Sequence, residues 1–394
     1  MIYKLNNVIQ SYAWGSQTSM SSLFGFENPN NEPQAELWMG AHPNGCSKLA
    51  ELDISLADFI QDNRHRVLGD YTANRYGQLP YLFKVLAART PLSIQVHPNK
   101  RNSEIGFERE NAQGIALSAG NRNYKDPNHK PELVYAITVY KAMNGFRPIA
   151  DIIALLDEVN IETLSDDVAA LKQAPDSHGL KALFTTVLTL MGDKKHAVLE
   201  QLSRHYGRTD LSSNALQALE YSQNFAHQYP GDNGILAPLL LNIVELQPGE
   251  AMFLHAETPH AYVEGAALEV MASSDNVLRA GLTPKHIDVD ELLANTRFES
   301  IAPNDIVLKP IELEGCHHFP VPVDDFKFDV VEVTGAEQKQ YVRSAEIVFC
   351  IDGEVAVISG PKSIVLKAGD SIFVPNSAGE YQIEGKGRLA RAYN

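Results

Sequence analysis

The amino-acid sequence predicts a mainly β protein interrupted by one helical insertion, and three observations lead there. Short apolar, β-branched runs bounded by Gly, Pro and Asn fill the chain up to about Pro148 and again after Gly234. Between Ile149 and Tyr229 the apolar spacing changes to the three- and four-residue period of amphipathic helices. A nine-residue segment then recurs once, at a constant offset, in the β-rich tail.

Taken in order, Tyr81–Leu86, Leu92–Val96 and Leu133–Val139 read as strands of the first part, with a helical insert at Leu56–Asp62. In the insertion, Ile152, Ile153, Leu155, Leu156 and Val159 form one helical stripe. Leu180, Leu183, Phe184, Val187, Leu188 and Met191 form a second. Ala215, Leu216, Leu219, Phe225 and Ala226 mark a third helix, capped by Ser212 or Ser213. No metal-capable cluster appears there, so the insertion reads as a buttress or lid. The turn cluster Tyr229-Pro230-Gly231-Asp232-Asn233-Gly234 closes it. β patterning resumes at Leu239–Leu246. It continues through Phe326–Val333, Ala345–Ile351, Glu354–Ile358, Ser371–Val374 and Glu380–Ile383, spacing that suits a sandwich or jelly roll.

The repeat sharpens this. Leu246-Gln247-Pro248-Gly249-Glu250-Ala251-Met252-Phe253-Leu254 matches Leu366-Lys367-Ala368-Gly369-Asp370-Ser371-Ile372-Phe373-Val374 at an offset of 366 − 246 = 120. The shared pattern resembles the turn-and-strand motif of the cupins, the double-stranded jelly-roll family. Only the first copy is followed by a histidine at the metal-like place, His260; its counterpart is Glu380. One cupin-like unit therefore reads as chemically active and the C-terminal one as structural.

At 394 residues the chain exceeds the usual ceiling for a single core. The expected division is a catalytic cupin-like domain from 1–148 plus 235–320, an α-helical domain at 149–234, and a C-terminal jelly-roll (β-sandwich) domain at 321–394. A net charge of −16 excludes nucleic acid and anionic membrane as partners, since both would be repelled. An anionic metabolite remains open to it through a local cluster of Lys and Arg. The three cysteines, Cys46, Cys316 and Cys350, are odd in number and far apart, which fits reduced thiols. Met1–Ser16 lacks the layout of a secretory signal and no apolar run reaches membrane-spanning length. A cytoplasmic monomer is expected.

The chemistry-bearing stretch is Pro91-Leu92-Ser93-Ile94-Gln95-Val96-His97-Pro98-Asn99-Lys100. As a strand it sets Ser93, Gln95 and His97 on one face and Leu92, Ile94 and Val96 on the other. Glu132, opening a strand-like run, and His260, after Pro259, offer two further ligands from separate strands. Two imidazoles, a carboxylate and an amide oxygen suit zinc first, and manganese or cobalt next. His255 reads as an outer or surface residue. Lys84, inside the apolar run Tyr81–Leu86, is costly unless paired. Lys100, Lys130, Arg279 and Lys285 lie near the ligand segments or in the block after His260 and supply positive charge.

These residues resemble those of the type I mannose-6-phosphate isomerases, and most closely the bacterial branch. The resemblance rests on Gln95-Val96-His97-Pro98-Asn99-Lys100, Tyr124-Lys125-Asp126-Pro127-Asn128-His129-Lys130-Pro131-Glu132 and the block Ser274–Lys285. Tyr12-Ala13-Trp14-Gly15 and Ala35-Glu36-Leu37-Trp38-Met39-Gly40 add to it, and it runs essentially end to end. It implies a zinc enzyme, one ion per chain, acting on a phosphorylated hexose by interconverting mannose 6-phosphate and fructose 6-phosphate. Carried over, the zinc ligands are Gln95, His97, Glu132 and His260, and the catalytic arginine is Arg279. Ser93, Lys84 and Lys285 fall on positions associated with the phosphate, with Lys130 in the same pocket and counted among the catalytic groups. Glu269, Asp275 and His129 are candidates for the proton carrier, His129 also for substrate contact. From the residues alone, a cupin oxygenase and a sugar-binding jelly roll stay open as alternatives.

Overall fold

The computed structural model describes all 394 residues and places the β runs in two large sheets. Around the first, Leu241–Leu246, Tyr140–Phe146, His260–Ala272, Tyr81–Ala88, Glu36–Met39 and Val8–Gln10 follow in hydrogen-bonded order. Glu132–Ala136 with Ala251–Leu254, and Ile94–Val96 with Leu278–Gly281, complete a barrel. Its central strand is His260–Ala272. That strand pairs with Gln95 and Asn144 at its start and with Tyr81–Ala88 and Glu132–Ala136 further on.

Alternation sorts side chains across this barrel. Leu82, Lys84 and Leu86 share the interior with Val134, Ala136, Tyr140 and Tyr262. On the outer faces, Phe83, Val85, Leu133, Tyr135, Leu268 and Val270 pack toward the C-terminal sheet. Ile94, Val96, Met143, Phe146, Ala261 and Val263 pack against the helices of the insertion. With both faces covered, every residue of Tyr81–Ala88 is buried.

The insertion holds helices Ile149–Val159, Ser165–Gln173, Ser177–Thr189, Gly192–Ser203 and Ser213–Gln228. The three expected apolar stripes fall on the first, third and fifth of these, except that Met191, expected to close the second stripe, lies beyond Thr189 and is exposed, because the chain turns there into the next helix. The cap of the last is Ser212, whose side chain accepts from the amide of Ala215. No helix is long and apolar enough to cross a membrane.

The C-terminal sheet gathers Lys327–Thr334, Glu346–Ser359, Ser371–Val374 and Glu380–Tyr393. It also recruits strands from outside the expected domain. Tyr3 pairs with Phe373, and the hairpin Ile311–Leu313 with Cys316–Phe319 adds to Lys327–Thr334. Hydrogen bonding in this sheet therefore runs across the boundary expected at 321 and takes in residues 3–6. Composition marks where β patterning starts, but it cannot show which distant strand completes a sheet.

The repeat is structural. Gln247 N–H donates to Glu250 Oε2 at 2.8 Å and Lys367 N–H to Asp370 Oδ2 at 3.0 Å, the same turn 120 residues on. The correspondence runs past the nine residues to Gly265 and Gly385 (385 − 265 = 120), with φ of 119° and 123°. A Cβ on either would lie 2.4 Å from Val139 O or 2.5 Å from Glu354 O, so only glycine fits. Glu380, the counterpart of His260, faces out and pairs with Lys339 at 2.7 Å.

Candidate metal centre and active site

His97, one residue past the strand Ile94–Val96, converges inside the first barrel with Glu132 and His260, each of which opens a strand, their ligand atoms all within 4.8 Å of one another. All three are almost fully buried. His97 Nδ1 lies 2.7 Å from Asn276 O and His260 Nδ1 2.9 Å from Thr258 O. A carbonyl only accepts, so both Nδ1 atoms carry the hydrogen and both Nε2 atoms keep a lone pair. These Nε2 atoms face Glu132 at 3.3 and 3.7 Å, and His97 Nε2 has no hydrogen-bond partner. A buried donorless nitrogen beside a carboxylate fits a divalent cation. Gln95, across the strand from His260, donates from Nε2 to Ser93 Oγ at 3.2 Å, which leaves its amide oxygen for the cavity both residues line.

The charge states agree with that fit. Burial, with His97 adding to it, pushes the His260 imidazole down to about 4, and burial also lowers His97. Both rings are neutral at pH 7, as ligands must be. Burial alone would raise Glu132, but the Lys130 ammonium at 3.0 Å holds it well below the usual carboxylate range. Tyr262 O–H donates to Glu132 Oε2 at 2.5 Å and fixes the carboxylate from behind. The residue-level reading missed Tyr262. It stands two positions after His260, where alternation returns a side chain to the same face.

Behind the ligands lies a dry ionic cluster. Lys84 Nζ is 3.0 Å from Glu269 Oε2 and 3.6 Å from Glu36 Oε2, all three side chains being a tenth exposed or less. Trp38 Nε1–H donates to Glu36, and Lys84 also stands over the Trp38 ring. Burial works against the Lys84 ammonium, but Glu269 and Glu36 outweigh it and raise its affinity for the proton. Glu269 moves up to about 7, chiefly by burial, with Glu132 and Glu36 pushing the same way against Lys84 and Lys130. The two shifts are compatible: one ammonium serves several carboxylates, so the lysine stays charged and Glu269 is the group that takes a proton.

Ser93, Lys84, Lys130 and Glu269 line one cavity of about 50 Å³ with Gln95, Glu132 and His260. That volume holds an ion and its waters; a hexose phosphate must extend outward. Arg279 lies across the strand from Gln95, and burial lowers its proton affinity with no carboxylate beside it. Lys285 is lowered by burial and by Arg279. Neither residue lines that cavity, and neither cation has a carboxylate paired with it.

Asp275 is not among the residues lining that cavity; it stands 3.3 Å from His42 Nε2, which keeps its carboxyl low although burial acts to raise it. His129 is not brought into the cavity. Its Nε2 pairs with Asp325 Oδ2 at 2.9 Å, on the opposite side of the chain from Lys130. His255 packs edge-on against Phe253, outside the ligand set, and lines a separate cavity of about 230 Å³. The cysteines are free thiols.

With this geometry in hand, the comparisons are direct. The phosphomannose isomerase type I catalytic domain matches residues 2–149, and the mannose-6-phosphate isomerase cupin domain matches residues 316–394. The mannose-6-phosphate isomerase of Escherichia coli (strain K12) is 47% identical over 394 residues, covering 99% of each chain. The human mannose-6-phosphate isomerase is 35% identical over 405 residues, covering 95% of this chain and 93% of its own. A crystal structure of mannose 6-phosphate isomerase bound with zinc and yttrium superposes with a TM-score of 0.94 at 47% identity, covering 100% of this chain and 99% of that one. A phosphomannose isomerase variant from Salmonella typhimurium gives a TM-score of 0.95, also at 47% identity and with the same coverage. From its barrel to its repeated turn, the chain belongs to the type I mannose-6-phosphate isomerase family.

Proposed function

We propose that this chain is a zinc-dependent aldose–ketose isomerase that interconverts D-mannose 6-phosphate and D-fructose 6-phosphate through a cis-enediol, working as a cytoplasmic monomer. The observation that carries the reading is the buried set His97, Glu132 and His260, with both Nε2 lone pairs turned to one carboxylate. Gln95 supplies the fourth ligand. Zinc held there provides a Lewis acid for the sugar oxygens.

The residues divide the remaining work. Isomerisation breaks the C2–H bond of the open-chain aldose and forms a C1–H bond, while a hydroxyl proton passes from O2 to O1. Glu269 is the carrier of the carbon proton: near neutrality it both accepts and releases one, and it lines the same cavity as the ligands. Asp275, already engaged by His42 and outside the cavity lining, is the weaker candidate. Arg279 keeps its proton at any working pH and stabilises the developing oxyanion. Lys285 takes the phosphate, binding energy that holds C1 and C2 in place. Lys130 steadies Glu132, and Lys84 keeps Glu269 from standing alone as a buried charge.

The test is incubation with mannose 6-phosphate, with and without a chelator. Fructose 6-phosphate forms, formation stops on metal removal, and zinc restores it. Undiminished turnover by metal-free protein overturns the reading.

A further inference from the structure

Glu257 is a non-glycine residue held at φ +65°, in the loop that leads to His260. Such a backbone persists only where its surroundings over-determine it. Here they do. The Glu257 N–H donates to His97 O at 2.7 Å, and its own carbonyl accepts from Arg297 N at 2.8 Å. Its Oε1 accepts from Asn99 Nδ2 at 2.7 Å and Asn102 Nδ2 at 3.4 Å, and Oε2 lies 3.6 Å from the Arg297 guanidinium. Asn99 in turn caps helix Lys100–Ala112, which starts three residues after His97. The left-handed turn thus aims one amide at the carbonyl of His97, while the carboxylate ties the same loop to the segment that leaves His97. Thr258 O, the next residue, receives His260 Nδ1–H.

We infer that Glu257 is a positioning residue for zinc. It stitches the approach to His260 onto the backbone of His97 and so sets the spacing of the two imidazoles. The inference rests on the ligand reading above. A turn that served folding alone would lower the stability of the metal-free protein without changing metal affinity.

Zinc affinity by chelator competition, together with the visible spectrum of the cobalt-substituted protein, separates the two. Glu257→Gly suits φ +65° and keeps the backbone amide but lacks the carboxylate, so zinc binding weakens by about tenfold or more and the cobalt spectrum changes. Glu257→Gln keeps an acceptor for Asn99 and stays close to the parent. Glu257→Asn, which also tolerates a left-handed backbone but is too short to reach Asn99, gives the same weakening if the glycine variant does not fold. Unchanged zinc affinity in the folded glycine or asparagine variant overturns the inference. His260→Ala is the control: loss of zinc there with unchanged affinity at position 257 removes this inference alone, whereas retained zinc in His260→Ala removes the ligand reading with it.

Discussion

Lys84→Met tests the cluster behind the ligands. Nζ stands 3.0 Å from one carboxylate and 3.6 Å from another. At an effective dielectric of about 20, each contact is worth about 5 kcal/mol of gross attraction. Desolvation offsets much of this in the parent. Removing only the cation, however, leaves two acids without it in a dry interior, and breaking a buried pair typically costs about 3–5 kcal/mol. Methionine fills the volume, so the loss is electrostatic. Its pH dependence follows from sign. The Glu269 carboxyl already sits up at about 7, above its unfolded value, so its contribution to stability is full at low pH and is lost as pH rises through that value. Without Lys84 the folded value climbs further and the loss continues to higher pH. Urea midpoints of metal-free protein at pH 6 and pH 8, read by tryptophan fluorescence, therefore give a larger deficit at pH 8, by about 1–2 kcal/mol. Adding Glu269→Gln to the variant recovers part of it. A deficit below about 1 kcal/mol, or one that does not change with pH, refutes the assignment of Lys84 as the cluster's counter-ion.

Arg279→Ala lowers kcat by about 10²–10³ while zinc content stays at that of the parent; equal loss of zinc instead assigns Arg279 to folding of the site. As the proton carrier, Glu269 must be ionised to accept the C2 proton, so kcat/KM rises with pH through about 7. Glu269→Gln removes that limb and costs about 10²–10⁴ in rate, and a parent-like pH profile in this variant moves the role elsewhere. Gly265→Ala meets Val139 O at 2.4 Å and a φ of 119°, so soluble yield and thermal midpoint both fall; a parent-like midpoint excludes the close approach.

What could be read in the sequence was whatever repeats at short range. Gln95 and His97 could be paired because extended chain has period two, although the strand itself ends at Val96, and the stripes from Ile152 to Ala226 mark helices because apolar residues recur every three or four positions. Helix Lys100–Ala112 escaped that reading because only Ser103, Gly106 and Glu110 are buried on it, which leaves no apolar stripe to count. The pairing of Tyr3 with Phe373 escaped because it joins opposite ends of the chain. His129 was drawn toward the site by its place beside Lys130. Adjacent residues in extended chain point opposite ways, and Asp325 takes it. The strain at Glu257 has no sequence signature at all, since glutamate is an ordinary loop residue.

The strand His260–Ala272 shows how the site escapes a simple count. Residues 260 and 269 are an odd number apart, so uninterrupted alternation would turn Glu269 away from the barrel that holds His260. Straight extension would also set them about 30 Å apart. Yet both line one cavity. The register shifts between Tyr262 and Glu264, and Gly265 follows at φ 119°. That irregularity reverses the parity: His260 and Tyr262 face inward before it, and Ala267, Glu269 and Met271 after it, with Ala261, Val263, Leu268 and Val270 outside. The same place is where the strand leaves the partners of its first half for those of its second. One short defect therefore bends the strand around the barrel and delivers a metal ligand and the proposed proton carrier to the same interior. The second repeat keeps the glycine at 385, at a similar φ of 123°, and lacks the histidine at 380, so the backbone feature recurs without the ligand.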